Sequence, residues 1–436
     1  MSATNGLGNK GTNNRSKGGL MEQIVSRENM TKAYKRVVSN KGSSGIDKMK
    51  VEDLADYLKE DWLSIKTKLL SGDYYPKGIR QVEIPKPNGG VRKLGIPTVL
   101  DRLIQQSLHQ CLEPLFDSTF STHSYGFRPK RSARQAVLSA QEYMSRGKRW
   151  IVNMDLSKFF DEVDHERLIS KLRKKVEDRR VIHLIDRYLK SGMMINGIEE
   201  KRQKGTPQGS PLSPLLSNIV LDELDKELEK RGHLFVRYAD DFQIYVGSEK
   251  SAKRVEASIK DFIEDRLKLK VNVKKSTLDR PWQTNFLGYS FTSNKAVKIK
   301  VSKESIKRFK GKVKELFRKG KGMNLGRFIK EGLNPVLRGW MIYFSASQVK
   351  RFTNDLDKWI RRRLRKVIWQ QLKRNWTRFK AMLKRGLSEE RAAQSCFNQR
   401  GAWWNAGASH MNMAYQTKYF EKIGLLSLQK LHTQYS

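Results

Sequence analysis

The sequence predicts an α+β protein whose last third is helical, and three observations carry that prediction. Residues Phe235–Val246 hold two apolar, β-branched and aromatic runs around the adjacent acids Asp240 and Asp241, the pattern of a hairpin with acids at its tip. Val82–Lys86 and Val91–Ile96 flank Pro87-Asn88-Gly89-Gly90, a second hairpin signal. Strand signals then fade from about residue 303, where helical, basic segments take over.

In chain order, residues 1–19 are rich in Gly, Asn, Ser and Lys and read as a disordered basic tail. Helical periodicity covers Leu20–Val38, and residues 40–47 form a polar, glycine-bearing loop. Helices follow over 51–70 and 99–117, and a short apolar strand, Trp150–Met154, ends in Asp155. In Gly205–Pro214 the glycines and prolines set an open turn, and Ser213 with Pro214 marks the start of a helix reaching about Arg231. A helix over 250–268, a strand-like stretch and Phe286-Leu287-Gly288-Tyr289 complete the mixed part. The 436 residues suffice for two or three domains.

Composition narrows the function classes. Lys plus Arg total 87 against 45 for Asp plus Glu, a formal charge of +42, and 301–436 alone hold 31 basic against 8 acidic residues. Self-repulsion of this size points to a polyanionic partner, and nucleic acid fits through counterion release. A membrane surface fits poorly, because the charge runs along the whole chain and is not confined to one amphipathic helix. The two cysteines, Cys111 and Cys396, exclude a disulfide framework and a Cys-x-x-Cys zinc site, and suit a reducing cytoplasm. No apolar run has the length of a membrane span, and the N-terminus lacks the apolar core of a signal peptide.

The adjacent carboxylates of Asp240 and Asp241 repel one another and are costly beside a half-buried sheet. A divalent cation such as Mg²⁺ relieves both problems, although Asp also serves simple turns. Asp155, at the end of its own strand, supplies a third acid that a neighbouring hairpin tip can face. Three such carboxylates can hold two Mg²⁺ ions for an in-line displacement at phosphorus. Asp161 and Asp164 follow that strand and fit a helix start better. Gly209 either lets a nucleotide approach the backbone or serves a structural loop.

In order along the chain, these elements resemble the reverse transcriptases, and more closely the group II intron-encoded reverse transcriptase/maturases. The resemblance runs from about residue 20 to the end. It rests on Gly45-Ile46-Asp47, Ile84-Pro85-Lys86, Leu94–Val99, Asp101-Arg102, Ser124–Pro129, Gln208-Gly209, Tyr238-Ala239-Asp240-Asp241 and Leu333–Trp340 with Tyr343-Phe344. The Leu333–Phe344 stretch marks intron maturases in particular.

The resemblance implies a right-hand polymerase fold: fingers and palm over 20–300, a thumb or maturase X domain over 301–368, and a basic helical DNA-binding region over 369–436. It implies Asp155, Asp240 and Asp241, with the Leu156 backbone carbonyl, as ligands of two Mg²⁺, Mn²⁺ being an alternative ion. Lys86, Arg92, Phe160, Gln208 and Lys275 are the implied nucleotide-binding residues. Phe160 would exclude a ribose 2′-OH, and Lys275 would protonate the leaving pyrophosphate; for Phe160 a plain core aromatic is the other reading. Phe286, Leu287 and Gly288 match the element that supports the primer end, and residues 40–47 a loop that covers the template. Arg128, Arg338, Arg361, Arg362, Arg363 and Arg365 are the implied nucleic-acid contacts. Trp359, Trp369 and Trp376 either interleave with the basic run Arg361–Lys366 as it tracks phosphates or, by their helical spacing, serve as core anchors under a solvated basic face, and both can hold at once; Trp403-Trp404 fit a loop or a packing platform. Implied partners are intron RNA, a template–primer duplex, target DNA and dNTPs, in a bacterial cytoplasm. The resemblance to class C introns implies no endonuclease segment after Leu428. A domesticated polymerase acting in DNA repair and a purely RNA-binding splicing factor are the alternative functions.

Overall fold

The computed structural model describes residues 19–85, 90–195, 198–200 and 202–436. Most of the proposed basic tail and Lys86 lie outside the described residues. The fold is α+β. Ten strands are described: β1 Ile79–Pro85, β2 Val91–Ile96, β3 Trp150–Met154, β4 Met193–Ile195, β5 Ile198–Glu200, β6 Leu234–Tyr238, β7 Asp241–Val246, β8 Thr277–Asp279, β9 Tyr289–Phe291 and β10 Ile299–Val301. The chain forms two compact units, one of residues 1–132, 152–244 and 253–277, the other of 133–151, 245–252 and 278–436.

The first unit contains a sheet of order β2-β1-β4-β5. β1 and β2 pair antiparallel with Ile84 opposite Arg92, while β4 joins β1 in parallel with Met193 opposite Ile79. Beside it the helices Arg27–Ser39, Leu54–Ser71 and Val99–Asp117 share a core of Met30, Ala33, Val37, Leu54, Val99 and Leu103. Their apolar positions recur at helical spacing, so each turns one stripe inward. A second sheet has order β6-β7-β3-β8. To this sheet the unit contributes β6, the start of β7 and the end of β3, the segments that carry the acids. The helix Ser213–Lys230 begins at Ser213-Pro214, as Pro at the start of a helix favours.

In the second unit β9 and β10 form a two-stranded ladder, and from Lys303 onward the described elements are helical. The helix Arg351–Gln371 buries Leu356, Ile360, Leu364 and Ile368 along one face. Asp357 on that helix accepts from Ser427 Oγ at 2.7 Å and from the N–H of Leu428 at 2.9 Å, so its charge meets the start of the helix Leu428–Tyr435. Of the proposed core tryptophans, Trp369 is buried, Trp359 is half-buried, and Trp376 is 63% exposed, which removes Trp376 from the core.

Asp101, in the first turn of Val99–Asp117, is buried yet fully partnered. Its carboxylate accepts from Thr98 Oγ1 at 2.6 Å, Tyr74 Oη at 2.8 Å and Tyr188 Oη at 3.2 Å. Thr98 in turn caps the helix by accepting from the Asp101 N–H at 3.0 Å. Asp101→Ala leaves three buried hydroxyls without their acceptor, and the unfolding free energy, read by urea denaturation, is expected to fall by roughly 3–5 kcal/mol.

Candidate active site

Arg237 shapes the hairpin that carries Asp240 and Asp241. It lies on β6 two residues before Ala239 and has no exposed surface. Its Nε and Nη2 donate to Asp225 Oδ1 and Oδ2 at 2.7 and 2.5 Å, a two-pronged pair. Its Nη1 donates to Asn218 Oδ1 at 2.9 Å and to the carbonyl of Ala239 at 3.0 Å. Asn218 and Asp225, two helical turns apart, occupy one face of Ser213–Lys230. Burial pushes the Asp225 carboxyl up, and the Arg237 guanidinium opposes that shift. Ala239 sits at φ +59°, a left-handed conformation that is costly with a Cβ and that the Arg237 bond holds in place.

Residues 123–126 strap the same hairpin. The N–H of Arg237 donates to His123 O at 2.9 Å, and the N–H of Tyr125 donates to Arg237 O at 2.8 Å. Asn218 Nδ2 donates to Gly126 O at 3.0 Å. A Cβ on Gly126 would collide with the Ala239 N and lie 2.9 Å from the Tyr238 carbonyl carbon, so only glycine lets the strap approach the turn.

Asp155 follows β3 and is bracketed by residues 272–276. Its N–H donates to Ser276 Oγ at 3.2 Å, its carbonyl accepts from the Asn272 N–H at 2.8 Å, and its Oδ2 accepts from Asn272 Nδ2 at 3.0 Å. Lys275 Nζ stands 3.3 Å from the same Oδ2. Leu156 forms an antiparallel bridge with Val271 whose hydrogen bonds use Asp155 O and Ser157 N–H, leaving the Leu156 carbonyl outside them.

The acids sense one another. Burial raises the Asp240 carboxyl, Asp155 adds to this, and Arg92 and Lys275 pull against it. Asp241 is pushed up to about 7 by desolvation, then by Asp240 and Asp155. Among the described residues no three His, Cys, Asp or Glu side chains stand ready-arranged as a metal cage. The donor set nevertheless suits a hard divalent cation: carboxylate oxygens that repel one another, plus a carbonyl not used in the neighbouring bridge.

The Gly205–Ser213 loop lies between Phe160 and β2. Thr206 N–H donates to Phe160 O at 2.6 Å, and Gly95 N–H donates to Gln208 O at 2.8 Å. Gly205 has φ +87°, and a Cβ there would lie 2.7 Å from Phe160 O. Phe160 is half-buried with its ring edge-on to Phe159 at 5.3 Å, Gln208 is half-buried, and Arg92 is exposed on β2. Asp164 caps the helix His165–Arg173 by accepting from the Arg167 N–H at 2.9 Å, and Asp161 lies in the short helix Phe159–Glu162.

In the second unit, Phe286-Leu287-Gly288 forms a tight left-handed turn, with Leu287 at φ +51° and Gly288 at φ +81°. Phe286 and Tyr289 exchange two backbone bonds of 2.9 Å, Tyr343 Oη donates to Leu287 O at 3.0 Å, and Ser305 Oγ donates to Gly288 O at 2.9 Å. Arg338 is exposed, and Arg361, Arg362 and Arg363 are half-buried.

Two of the proposed nucleic-acid contacts turn inward. Arg128 is consumed internally: Nε donates to Asp117 Oδ1 at 2.6 Å, Nη1 to Ser124 O at 3.0 Å and Nη2 to Asp117 O at 3.0 Å. Arg365 is 7% exposed and donates to Tyr415 O at 3.0 Å, and desolvation lowers its pKa to about 10. Sequence reasoning also missed Asn218, Asp225 and Arg237, although an arginine inside the apolar run Phe235-Val236-Arg237 signals a buried partner.

Residues 84–291 match the family described as reverse transcriptase (RNA-dependent DNA polymerase), which makes this stretch a reverse transcriptase domain. Residues 306–386 match the group II intron, maturase-specific domain. The chain belongs to the group II intron-encoded reverse transcriptase and maturase family. Protein YkfC of Escherichia coli K12 is 32% identical over 300 residues, 59% of this chain and 78% of YkfC. Group II intron-encoded protein LtrA of Lactococcus lactis subsp. cremoris is 33% identical over 343 residues, 63% of this chain and 57% of LtrA. The putative COX1/OXI3 intron 2 protein of Saccharomyces cerevisiae is 29% identical over 319 residues, 59% of this chain and 37% of that protein. The chain thus spans little more than half the length of LtrA. Reverse transcriptases in general use divalent metal ions, typically Mg²⁺. Among the described residues no helix is long and apolar enough to cross a membrane.

The buried pair gives a direct prediction. Asp225→Ala leaves the Arg237 guanidinium without its charge partner, and unfolding free energy is expected to drop by about 3–5 kcal/mol. Asp225→Asn, which keeps the hydrogen-bond acceptor, is expected to lose less in the same denaturation experiment.

Proposed function

We propose that this protein extends a primer 3′-OH with dNTPs on an RNA template, and that it binds its parent intron RNA to assist splicing and retrohoming. The observation that carries the polymerase part is the electrostatic coupling of Asp155, Asp240 and Asp241 beside two cations, Arg92 and Lys275. The match of 306–386 to a maturase-specific domain supports the intron part.

In this reading Asp155, Asp240, Asp241 and the Leu156 carbonyl would hold two divalent ions, Mg²⁺ or Mn²⁺, which would supply a lowered pKa for an attacking hydroxyl and charge compensation for the displaced phosphoryl oxygens. Arg92, on β2, and Lys86 grip the triphosphate. Gln208 lines the incoming nucleotide, and the Phe160 ring occupies the space a ribose 2′-OH would need. Lys275, 3.3 Å from Asp155 Oδ2, delivers a proton to the leaving pyrophosphate. The turn Phe286-Leu287-Gly288 supports the primer end. Arg338 and Arg361–Arg363 meet nucleic-acid phosphates, which answers the +42 charge of the chain. The division follows: fingers and palm over 20–300, thumb or X domain over 301–368, a DNA-binding region over 369–436 that meets target DNA, and a bacterial cytoplasmic setting.

Asp240→Ala is expected to abolish cDNA synthesis on a primed RNA template with Mg²⁺ while intron RNA binding, followed by filter retention, stays near wild type. Polymerisation at the wild-type rate by that variant removes the site assignment. Phe160→Ala is expected to raise ribonucleotide incorporation in the same extension assay; unchanged sugar selection removes that role.

A further inference from the structure

We propose that His165 is a positioning residue for nucleotide selection: its imidazole clasps the loop that carries Gln208 to the segment that carries Phe160, and so sets the room left for the sugar of the incoming nucleotide. This rests on the polymerase reading of Phe160 and Gln208, and adds a residue that acts through the backbone. His165 is 5% exposed, and its Nε2 lies 2.7 Å from the Gly205 carbonyl oxygen. A carbonyl oxygen only accepts, so Nε2 carries a proton and donates it. Burial holds the imidazole below its usual pKa, so near neutral pH the ring is uncharged and its single N–H is the one aimed at Gly205. The ring is fixed from behind. His165 opens the helix His165–Arg173, which Asp164 caps and which buries Leu168, Ile169 and Leu172.

Gly205 needs such a clasp. It sits at φ +87°, and a Cβ there would meet Phe160 O at 2.7 Å and Asp161 O at 2.8 Å. The position therefore excludes a side chain that could anchor it, and glycine is the residue with the most conformational freedom to lose. Both of its backbone groups are tied to one short stretch: its N–H donates to Val163 O at 2.7 Å, and its carbonyl accepts from His165. The next amide, Thr206 N–H, donates to Phe160 O at 2.6 Å, and a bridge joins Asp164 to Lys204. Among the described residues the buried Thr206 hydroxyl has no partner, so that side chain adds no anchor of its own.

The far side of the loop is held separately. Gly95 N–H donates to Gln208 O at 2.8 Å, and Ser213 Oγ donates to Pro207 O at 2.8 Å. Gln208 thus stands between two anchors, one on β2 and the start of Ser213–Lys230, the other on residues 160–165. His165 supplies the side-chain bond of the second anchor. A histidine that only filled space would need no donor, and an apolar residue of its size would leave the Gly205 carbonyl unheld. Small displacements of groups that orient a substrate carry large kinetic effects.

The test uses the full chain with His165→Phe, which keeps a ring and removes the donor, and His165→Gln, whose amide N–H reaches the same place. Single-nucleotide primer extension on an RNA template is measured with a dNTP and with the matching ribonucleotide. In His165→Phe the KM for the dNTP is expected to rise roughly 2- to 10-fold, the range for one lost neutral hydrogen bond, with kcat less affected. The preference for dNTP over ribonucleotide, as a ratio of kcat/KM values, is expected to fall by a similar factor, and His165→Gln to restore both. That ratio is taken within one preparation, so a smaller folded fraction does not move it. Hydrogen exchange on the peptide spanning 203–209 gives a readout without catalysis. The Gly205 and Thr206 amides are expected to exchange faster in His165→Phe and near the wild-type rate in His165→Gln. Thermal melts establish folding; if His165→Phe fails to fold, His165→Asn, whose amide stops short of Gly205, takes its place with the same expectations. A folded donor-less variant with wild-type sugar preference, or with wild-type exchange across 203–209, overturns the proposal, and so does a His165→Gln variant that restores neither. A wild-type chain that extends no primer defeats the polymerase reading and the selection role with it, whereas the exchange measurement still decides the clasp alone.

Discussion

The Arg237 guanidinium is buried with no water to solvate it, and the geometry of the candidate active site follows from how that charge is met. Asp225 supplies the counter-charge, while Asn218 and the Ala239 carbonyl take Nη1. A buried pair of this kind adds little net stability over an apolar replacement, but it is directional. Here the direction is used: one prong ends on the carbonyl of the left-handed residue immediately before Asp240 and Asp241. A hydrophobic residue at 237 would fill the space and leave the turn without that anchor. The strap at 123–126 closes the hairpin from another side, and the absence of a Cβ on Gly126 permits it.

The second constraint is charge. Many of the ion pairs in the fold are exposed helix pairs, such as Lys32–Glu28 and Lys59–Asp56, which contribute little. They do not offset +42. Arginines whose hydrogen bonds are consumed inside the fold, Arg128, Arg237 and Arg365, are structural, and the surplus that faces solvent is left for a polyanion. Position in a basic run thus says little about role: Arg363 and Arg365 are two residues apart on one helix, yet one stacks on indoles and the other is spent on a carbonyl.

Much of this was legible in the sequence because it is local. Apolar, β-branched runs around Ala239-Asp240 and strand-like runs flanking Pro87–Gly90 gave both hairpins, and Ser213-Pro214 gave a helix start. Asp155 at a strand end and Asp164 as a helix cap follow from the same local rules. What was not legible depends on which way a side chain turns. The Ser124–Pro129 motif is present, but only the fold reveals that Arg128 folds back onto Asp117. Trp376 sits at core spacing and yet faces solvent, because its helix is short and packs on Phe379 and Met382. The partner of Arg237 lies twelve residues back on a helix with several acids, and periodicity does not single out Asp225.

In the proposed function Asp155, Asp240 and Asp241 act as one cation site even though, among the described residues, no ready-made cage exists without the ion. Electron paramagnetic resonance titration of Mn²⁺ into the full chain tests this directly, comparing wild type with Asp155→Ala and Asp240→Ala. Bound Mn²⁺ is expected in the wild type and its loss in both variants, although the two acids lie on different strands. Undiminished Mn²⁺ binding in both folded variants would contradict it.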